Sequence, residues 1–311
     1  MVQFQALTWD SFDDDDEHLI RIFGKTIDGK SVCLTTRFQP YFFVKLPEGT
    51  TVGAIRASLN KMCPDDVVDV KVDRFRDIWG FQNGHKHLFA QIFCNNLADR
   101  RRVVSKLRRT PLKGLNVKAP LYEANVDPVL RLMHRTGIQS TGWIDTSEAN
   151  CFREFNTHTD IDIKCTNWKD LKPFETTNIA PFVVASLDIE CHSSTGKFPD
   201  PEIPGDACFQ IAVTLMRFGT DEVYDKTCLC YKQTDPNLEG CTIKSFDTER
   251  EMLMAYTEYL HEHDVDIITG WNIFGFDLNY IMKRAGMTKC PPEFFYMSKI
   301  KEYVCNISEK K

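Results

Sequence analysis

Phe182-Val183-Val184-Ala185-Ser186-Leu187-Asp188-Ile189-Glu190 is a near-continuous apolar run that ends in acids. A strand buried on both faces reads this way, and open α/β sheets carry their chemistry at the carboxyl ends of such strands. Residues two apart on a strand project to one face. Asp188 and Glu190 therefore stand side by side, with Ile189 on the opposite face. Two anions at that distance repel unless a cation lies between them, and hard carboxylate oxygens suit Mg²⁺ or Mn²⁺. Taken alone, an Asp-x-Glu triplet is weak, since most are solvated surface pairs.

Downstream, residues 192–206 form a Gly/Pro-rich loop, and strands follow over 209–217 and 222–231. Residues 247–262 have helical spacing, with Met252, Leu253, Tyr256 and Leu260 inward. A second buried strand over 265–269 leads into Gly270-Trp271-Asn272-Ile273-Phe274-Gly275-Phe276-Asp277 and a helix over 277–285. Gly270 and Gly275 permit a tight bend between that strand and helix. Asp277 is thus another carboxylate set just after a buried strand. By itself it is equally an N-cap or first-turn acid, Asn272 a turn residue and Phe276 a core residue. Strands alternating with helices imply a layered α/β domain over 181–311.

Upstream the pattern changes. Strands are expected over 19–26, 31–36, 41–45, 67–72 and 88–93, and helices over 52–62 and 97–109. Asp28-Gly29 is a strong hairpin signal. These make an α+β domain over 1–120. A connecting segment over 121–180 holds a helix at 126–135, with Asn125 as N-cap and Gly137 as its stop, and short strands at 141–145 and 161–165. The boundary falls near Pro181.

With 42% hydrophobic and 26% charged residues, the chain has the balance of a folded globular protein rather than a disordered one. The net charge of −6 hides a split. Residues 1–120 hold 19 Lys and Arg against 14 Asp and Glu, whereas residues 181–311 hold 13 against 21. That distribution permits a nucleic-acid binder whose acidic part needs metal ions to approach phosphates. Arg100-Arg101-Arg102, Lys106, Arg108 and Arg109 crowd one helix, either as a solvated face or as phosphate contacts. Asp13-Asp14-Asp15-Asp16-Glu17 reads as a solvated loop. The twelve cysteines include no Cys-x-x-Cys and read as reduced thiols in an intracellular protein. His85-x-His87 reads as a strand or hairpin pair, and His192, Ser193 and Ser194 have no spacing that makes a triad. There is no apolar run near the ~18 residues of a membrane helix, so neither a membrane-spanning nor a secreted protein is expected.

Ser186-Leu187-Asp188-Ile189-Glu190-Cys191 and Asn272-Ile273-Phe274-Gly275-Phe276-Asp277 resemble, in order and spacing, the first and second exonuclease motifs of family B DNA polymerases. Phe23-Gly24-Lys25-Thr26, Gln39-Pro40-Tyr41-Phe42-Phe43-Val44, Thr136-Gly137-Ile138, Gly196-Lys197-Phe198-Pro199-Asp200 and Phe209-Gln210-Ile211-Ala212 extend the likeness to the delta-type branch, which includes polymerases of large DNA viruses. The resemblance implies a 3′→5′ proofreading exonuclease domain of the ribonuclease-H-like type, a mixed sheet flanked by helices, behind the polymerase N-terminal domain. It makes Asp188, Glu190 and Asp277 catalytic ligands of two Mg²⁺ or Mn²⁺ ions, and it makes Asn272 and Phe276 the holders of a frayed primer end. DNA is the implied partner, as primer 3′ end and single-stranded template. A processivity clamp or other replication proteins would join through the full-length polymerase, in the nucleus or a viral replication compartment.

The family's third exonuclease motif, a Tyr and an Asp with three residues between them, is not matched. Tyr303 is followed by Val304-Cys305-Asn306-Ile307. The expectation is an N-terminal fragment whose exonuclease domain is incomplete at its C-terminus, without the polymerase palm and with weak exonuclease activity or none. Two other readings stay open: a non-catalytic nucleic-acid-binding or assembly module, and a stand-alone exonuclease of the same superfold.

Overall fold

The computed structural model describes residues 2–112, 120–220, 222–235 and 237–306. Along the chain it runs β1 (Gln3–Asp14), β2 (Glu17–Lys25), β3 (Ser31–Arg37), β4 (Tyr41–Lys45), α1 (Val52–Met62), β5 (Val67–Phe75), β6 (His87–Cys94), α2 (Leu97–Arg109), β7 (Leu121–Tyr122) and α3 (Pro128–Thr136). It continues through β8 (Trp143–Asp145), β9 (Cys151–Arg153), β10 (Ile161–Cys165), β11 (Lys172–Phe174), β12 (Val183–Cys191), β13 (Cys208–Arg217), β14 (Val223–Tyr231), β15 (Thr242–Phe246), α4 (Glu249–Glu262), β16 (Ile267–Thr269) and α5 (Asp277–Met287). Two compact units share these elements. One comprises the chain up to Phe23 with Leu34–Phe152 and Ile163–Glu175; the other comprises Gly24–Cys33, Arg153–Asp162 and the chain from Thr176 onward.

A seven-stranded sheet has the order β11-β8-β1-β2-β3-β10-β9. The acidic run expected to be a loop is mostly strand. Asp13 and Asp14 end β1, Glu17 opens β2, and the turn between them has Asp15 at φ +46°. The reason is that Asp13, though exposed, is tied to a distant helix. Its carboxylate accepts from the backbone N–H groups of Leu97 (3.0 Å) and Ala98 (3.2 Å), satisfying orphan donors at the start of α2.

Within the first unit, β4-α1-β5-β6-α2-β7 folds as a four-stranded sheet, in the order β5-β6-β4-β7, with α1 and α2 packed on one face. Alternate residues Phe42, Val44, Val70, Ala90, Ile92 and Cys94 meet Ile55, Leu59, Val103, Val104 and Leu107 of the helices. α3 starts at Pro128 with Asp127, not Asn125, as its cap, because the Asp127 carboxylate reaches the Val129 N–H at 2.7 Å. Gly137 stops it in the left-handed conformation, as expected.

The other unit is built on a five-stranded sheet in the order β15-β14-β13-β12-β16. β12 lies inside it, antiparallel to β13 and parallel to the edge strand β16. Leu187, Ile189, Ile211, Val213 and Leu215 face Met252, Leu253 and Tyr256 of α4 and Tyr280 and Ile281 of α5 in one core. A capping box between Thr248 and Glu251 fixes the start of α4. β16 is shorter than the apolar run suggests because Asp266 is used otherwise. Its carboxylate accepts from Val183 N–H (2.8 Å), and its own N–H donates to Val183 O (3.0 Å), pinning the start of β12. Among the described residues no helix is long and apolar enough to cross a membrane. All twelve cysteines are free thiols.

Candidate active site

Strand alternation orients the first carboxylates. Leu187 and Ile189 are buried in the core, while Ser186, Asp188 and Glu190 are exposed on the other face of β12. Glu190 lies opposite Gln210, and the next pair is Cys191 with Cys208, so β13 carries an extra residue, Phe209, at this point. A bulge of this kind bends a ladder beside its last side chains and often borders a functional site.

The second segment is brought in by the parallel register. Ser186 pairs with Thr269, so Gly270 comes alongside Leu187. The loop then tightens on Asn272, whose backbone sits in the left-handed region at φ +56°. Asn272 O accepts from Gly275 N–H (2.9 Å) and Phe276 N–H (3.0 Å), and Ile273 O accepts from Leu278 N–H (2.9 Å). A Cβ at Gly275 would press on the Asn272 carboxamide, so a side chain there would turn Asn272 aside. Phe276 holds the N-cap position of α5 without a side-chain cap, and Asp277 is the first helical residue.

Asp277 is only 3% exposed. Burial, joined by the negative charge of Asp188, raises its pKa above the ordinary carboxylate value, while hydrogen bonding from its own N–H and that of Ile189 pulls the other way. Asp188 and Asp277 are therefore brought into each other's field, and Glu190 leaves β12 from the same face as Asp188. Among the described residues no three His, Cys, Asp or Glu side chains gather closely enough to enclose an ion.

Aromatic rings surround the turn. The half-buried Phe276 ring lies 5.2 Å from Phe198 and 5.2 Å from Tyr280. Phe198, Trp271 and Phe274 are exposed, Trp271 by 92%. Asn272 is exposed as well. Large apolar rings left in water on one loop are suited to stacking a planar, unpaired ring.

Sequence reasoning missed the groups that hold the 192–206 loop. Asp206 is fully buried, and its carboxylate accepts from Ser194 N–H (2.7 Å), Ser194 O–H (2.5 Å) and Asp200 N–H (3.0 Å). Those bonds, with the Ser194 hydroxyl first, hold its pKa below the usual range. Arg284 of α5 pairs with buried Glu249 (2.5 Å) and donates to the carbonyls of Pro201 (3.1 Å) and Ile203 (3.0 Å). Glu249 in turn accepts from Cys208 N–H (2.9 Å), and the Tyr280 hydroxyl donates to Asp206 O (2.8 Å). The one available signal was Arg284 itself, a charge on the apolar stripe of α5. His85 and His87 sit edge to face at 4.7 Å, with His87 Nε2 on Gln82 Oε1, as a hairpin pair.

Residues 119–309 match the family model described as DNA polymerase family B, exonuclease domain. The chain is 30% identical over 277 residues to a DNA polymerase of Paramecium bursaria Chlorella virus NY2A, covering 86% of this chain and 29% of that protein. It is 28% identical over 304 residues to the DNA polymerase delta catalytic subunit of Schizosaccharomyces pombe, covering 91% of this chain and 27% of that one. Its fold matches the family B DNA polymerase of Pyrobaculum calidifontis with a TM-score of 0.66 at 22% identity, over 93% of this chain and 33% of the other. The chain thus spans about a third or less of these relatives' lengths.

Proposed function

Since the chain belongs to family B DNA polymerases and carries their ribonuclease-H-like exonuclease domain, we propose that the unit built on β12 hydrolyses nucleotides from DNA 3′ ends in the service of replication. The observation that supports this most is the pairing of Asp188 with Asp277 across β12 and the start of α5, with Glu190 on the same strand face. Two carboxylates held in mutual repulsion, one of them buried, are a donor set that fits a hard divalent cation. With Glu190 turned in from its strand face toward the other two, Asp188, Glu190 and Asp277 would hold two Mg²⁺ or Mn²⁺ ions, which would supply an activated water and neutralise charge at the leaving 3′-oxygen.

The chain's own residues do the rest. Phe276, backed by Tyr280, offers a ring on which the terminal base stacks without its identity being read. Asn272 presents an amide able to hydrogen-bond sugar or base. Phe198, on the 192–206 loop, adds a second exposed ring beside Phe276. The 3′ end of a primer and single-stranded template are the DNA partners in this reading.

The test is cleavage of a 3′-labelled single-stranded oligonucleotide by the chain in Mg²⁺, compared with Asp188→Ala and Asp277→Ala. Cleavage, however slow, that requires Mg²⁺ and is lost in both variants supports the proposal. Cleavage that survives either substitution, or tight Mg²⁺-independent binding with no cleavage at all, refutes it; the second result favours a non-catalytic binding module.

A further inference from the structure

α2 carries six basic side chains, and the structure spends them unequally. Arg100 is buried and donates to Val126 O at 2.8 Å. Arg102 is held by Asp66 (2.8 Å) and Asp99. Lys106 donates to Met62 O at 2.8 Å. Arg109 folds back onto its own helix, to Ser105 O (3.2 Å) and Ser105 Oγ (2.9 Å). Arg101 and Arg108 are exposed and have no carboxylate partner among the described residues. The segment 113–119, outside the described residues, contains no Asp or Glu to supply one.

Arg101, Arg108 and Arg109 line one open groove of about 320 Å³, together with Ala124 and Asn125. Among the described residues no carboxylate lines it. Arg101 and Arg108 are seven residues apart, so they share a helix face and stand about 10 Å apart along its axis. The polar side chains along the groove are three guanidinium forks, Ser105 and Asn125, all able to donate. Guanidinium forks match phosphate oxygens in pairs, whereas three cations crowded without a counter-charge repel one another.

We infer that the outer face of α2, from Arg101 to Arg109, is a binding site for the phosphodiester backbone of single-stranded nucleic acid. The choice of anion rests on the polymerase reading above; the site itself rests on the geometry. A single strand presents acceptor-only oxygens at successive positions, which suits donors spread along a helix. An acidic peptide would bring backbone N–H groups that this groove has few acceptors to meet. Arg102, only one residue from Arg101, is locked to Asp66 and Asp99 and lies outside the groove, so it serves as an internal control.

The experiment measures binding of a fluorescent oligothymidylate to the full chain in EDTA across a series of NaCl concentrations. EDTA removes metal-dependent cleavage, so a chain without nuclease activity still gives a readable result, and failure here leaves the exonuclease test untouched. For Arg101→Gln/Arg108→Gln the slope of log K against log salt becomes shallower by about 1.4, or about 0.7 for each lost phosphate contact. Arg102→Gln leaves the slope at the wild-type value. Each single substitution gives half the effect, which keeps the test readable if the double variant folds poorly. A slope unchanged in the singles and the double overturns the proposal. So does a double variant that loses binding to inorganic tripolyphosphate or to polyglutamate while its oligothymidylate slope is unchanged.

Discussion

Gly270 runs so close to Leu187 that a single methyl group on it would enter the van der Waals shell of the Leu187 carbonyl oxygen. The same added carbon would strike the Ile273 side chain. This approach is what carries the 270–277 turn against the end of β12, where Asp188 and Glu190 emerge.

Gly270→Ala is therefore expected to separate the two carboxylate-bearing segments. Overpacking against backbone costs at least the ~1–3 kcal/mol typical of inserted methyl groups. Chemical denaturation measures that loss, and 3′-end cleavage is expected to fall further than the loss of folded protein explains. Unchanged stability would mean the strand and turn separate freely, against the close approach seen here.

Phe276→Ala removes the ring between Phe198 and Tyr280, whereas Phe276→Tyr keeps it. If the ring stacks a terminal base, the alanine variant weakens single-stranded DNA binding by about 1–3 kcal/mol. That loss shows in KM more than in kcat, and the tyrosine variant restores it. Equal KM values in both variants would assign Phe276 to the core alone.

The parts of this fold that were legible in the sequence are those in which one physical signal dominates. The apolar run into Asp188 had to be a buried strand, and the 3.6-residue stripe of Val103, Val104 and Leu107 had to be a helix face. What stayed hidden depended on distant partners. Asp13 looked like part of a solvated run until Leu97 and Ala98 supplied donors from far along the chain. β15, with its exposed Thr242 and half-buried Ile243, has too little apolar alternation to declare itself, and its pairing with β14 defines it. Asp188 could be placed near the end of its strand and Asp277 just after the next one, but apart from the charge of Arg284 on the apolar stripe of α5, nothing local pointed to the role of Asp206 and Arg284 in fixing the 192–206 loop.

That loop gives a pH prediction. Asp206 has a folded pKa below its unfolded value, because its carboxylate collects the Ser194 hydroxyl and two backbone N–H groups. A depressed carboxylate contributes stability that is fully present above the unfolded pKa of about 3.9 and is lost as pH falls through the lower folded pKa. Acidification below about pH 4 is expected to release the loop and raise hydrogen exchange at Ser194 and Asp200. In Asp206→Asn those amides should exchange quickly at neutral pH already, with little further change on acidification. Parallel acid profiles in the two proteins would show that another group controls the loop.

The last prediction concerns Lys25, which is only 2% exposed yet charged. Its ammonium lies 2.6 Å from Asp266 and 3.1 Å from Asp264, and Lys299 meets the same two acids at 2.5 and 2.7 Å. Burial lowers the Lys25 pKa, but the charges of Asp266 and Asp264 more than offset it, so the pKa lies above the ordinary value. A raised lysine contributes stability that is present below its unfolded pKa and lost as pH rises through the folded one, so at neutral pH the pair is intact. Removing one partner of a buried pair leaves the other uncompensated, at about 3–5 kcal/mol. Here Lys299 still neutralises part of the cluster, so Lys25→Met is expected to cost near the lower end of that range. Lys299→Met, at a site 20% exposed, should cost less. The double variant should lose more than the sum of the singles, because Asp266, which pins Val183 at the start of β12, then has no cation at all. Additive losses in urea denaturation would show that the two lysines act independently and that Asp266 is held by its backbone bond alone.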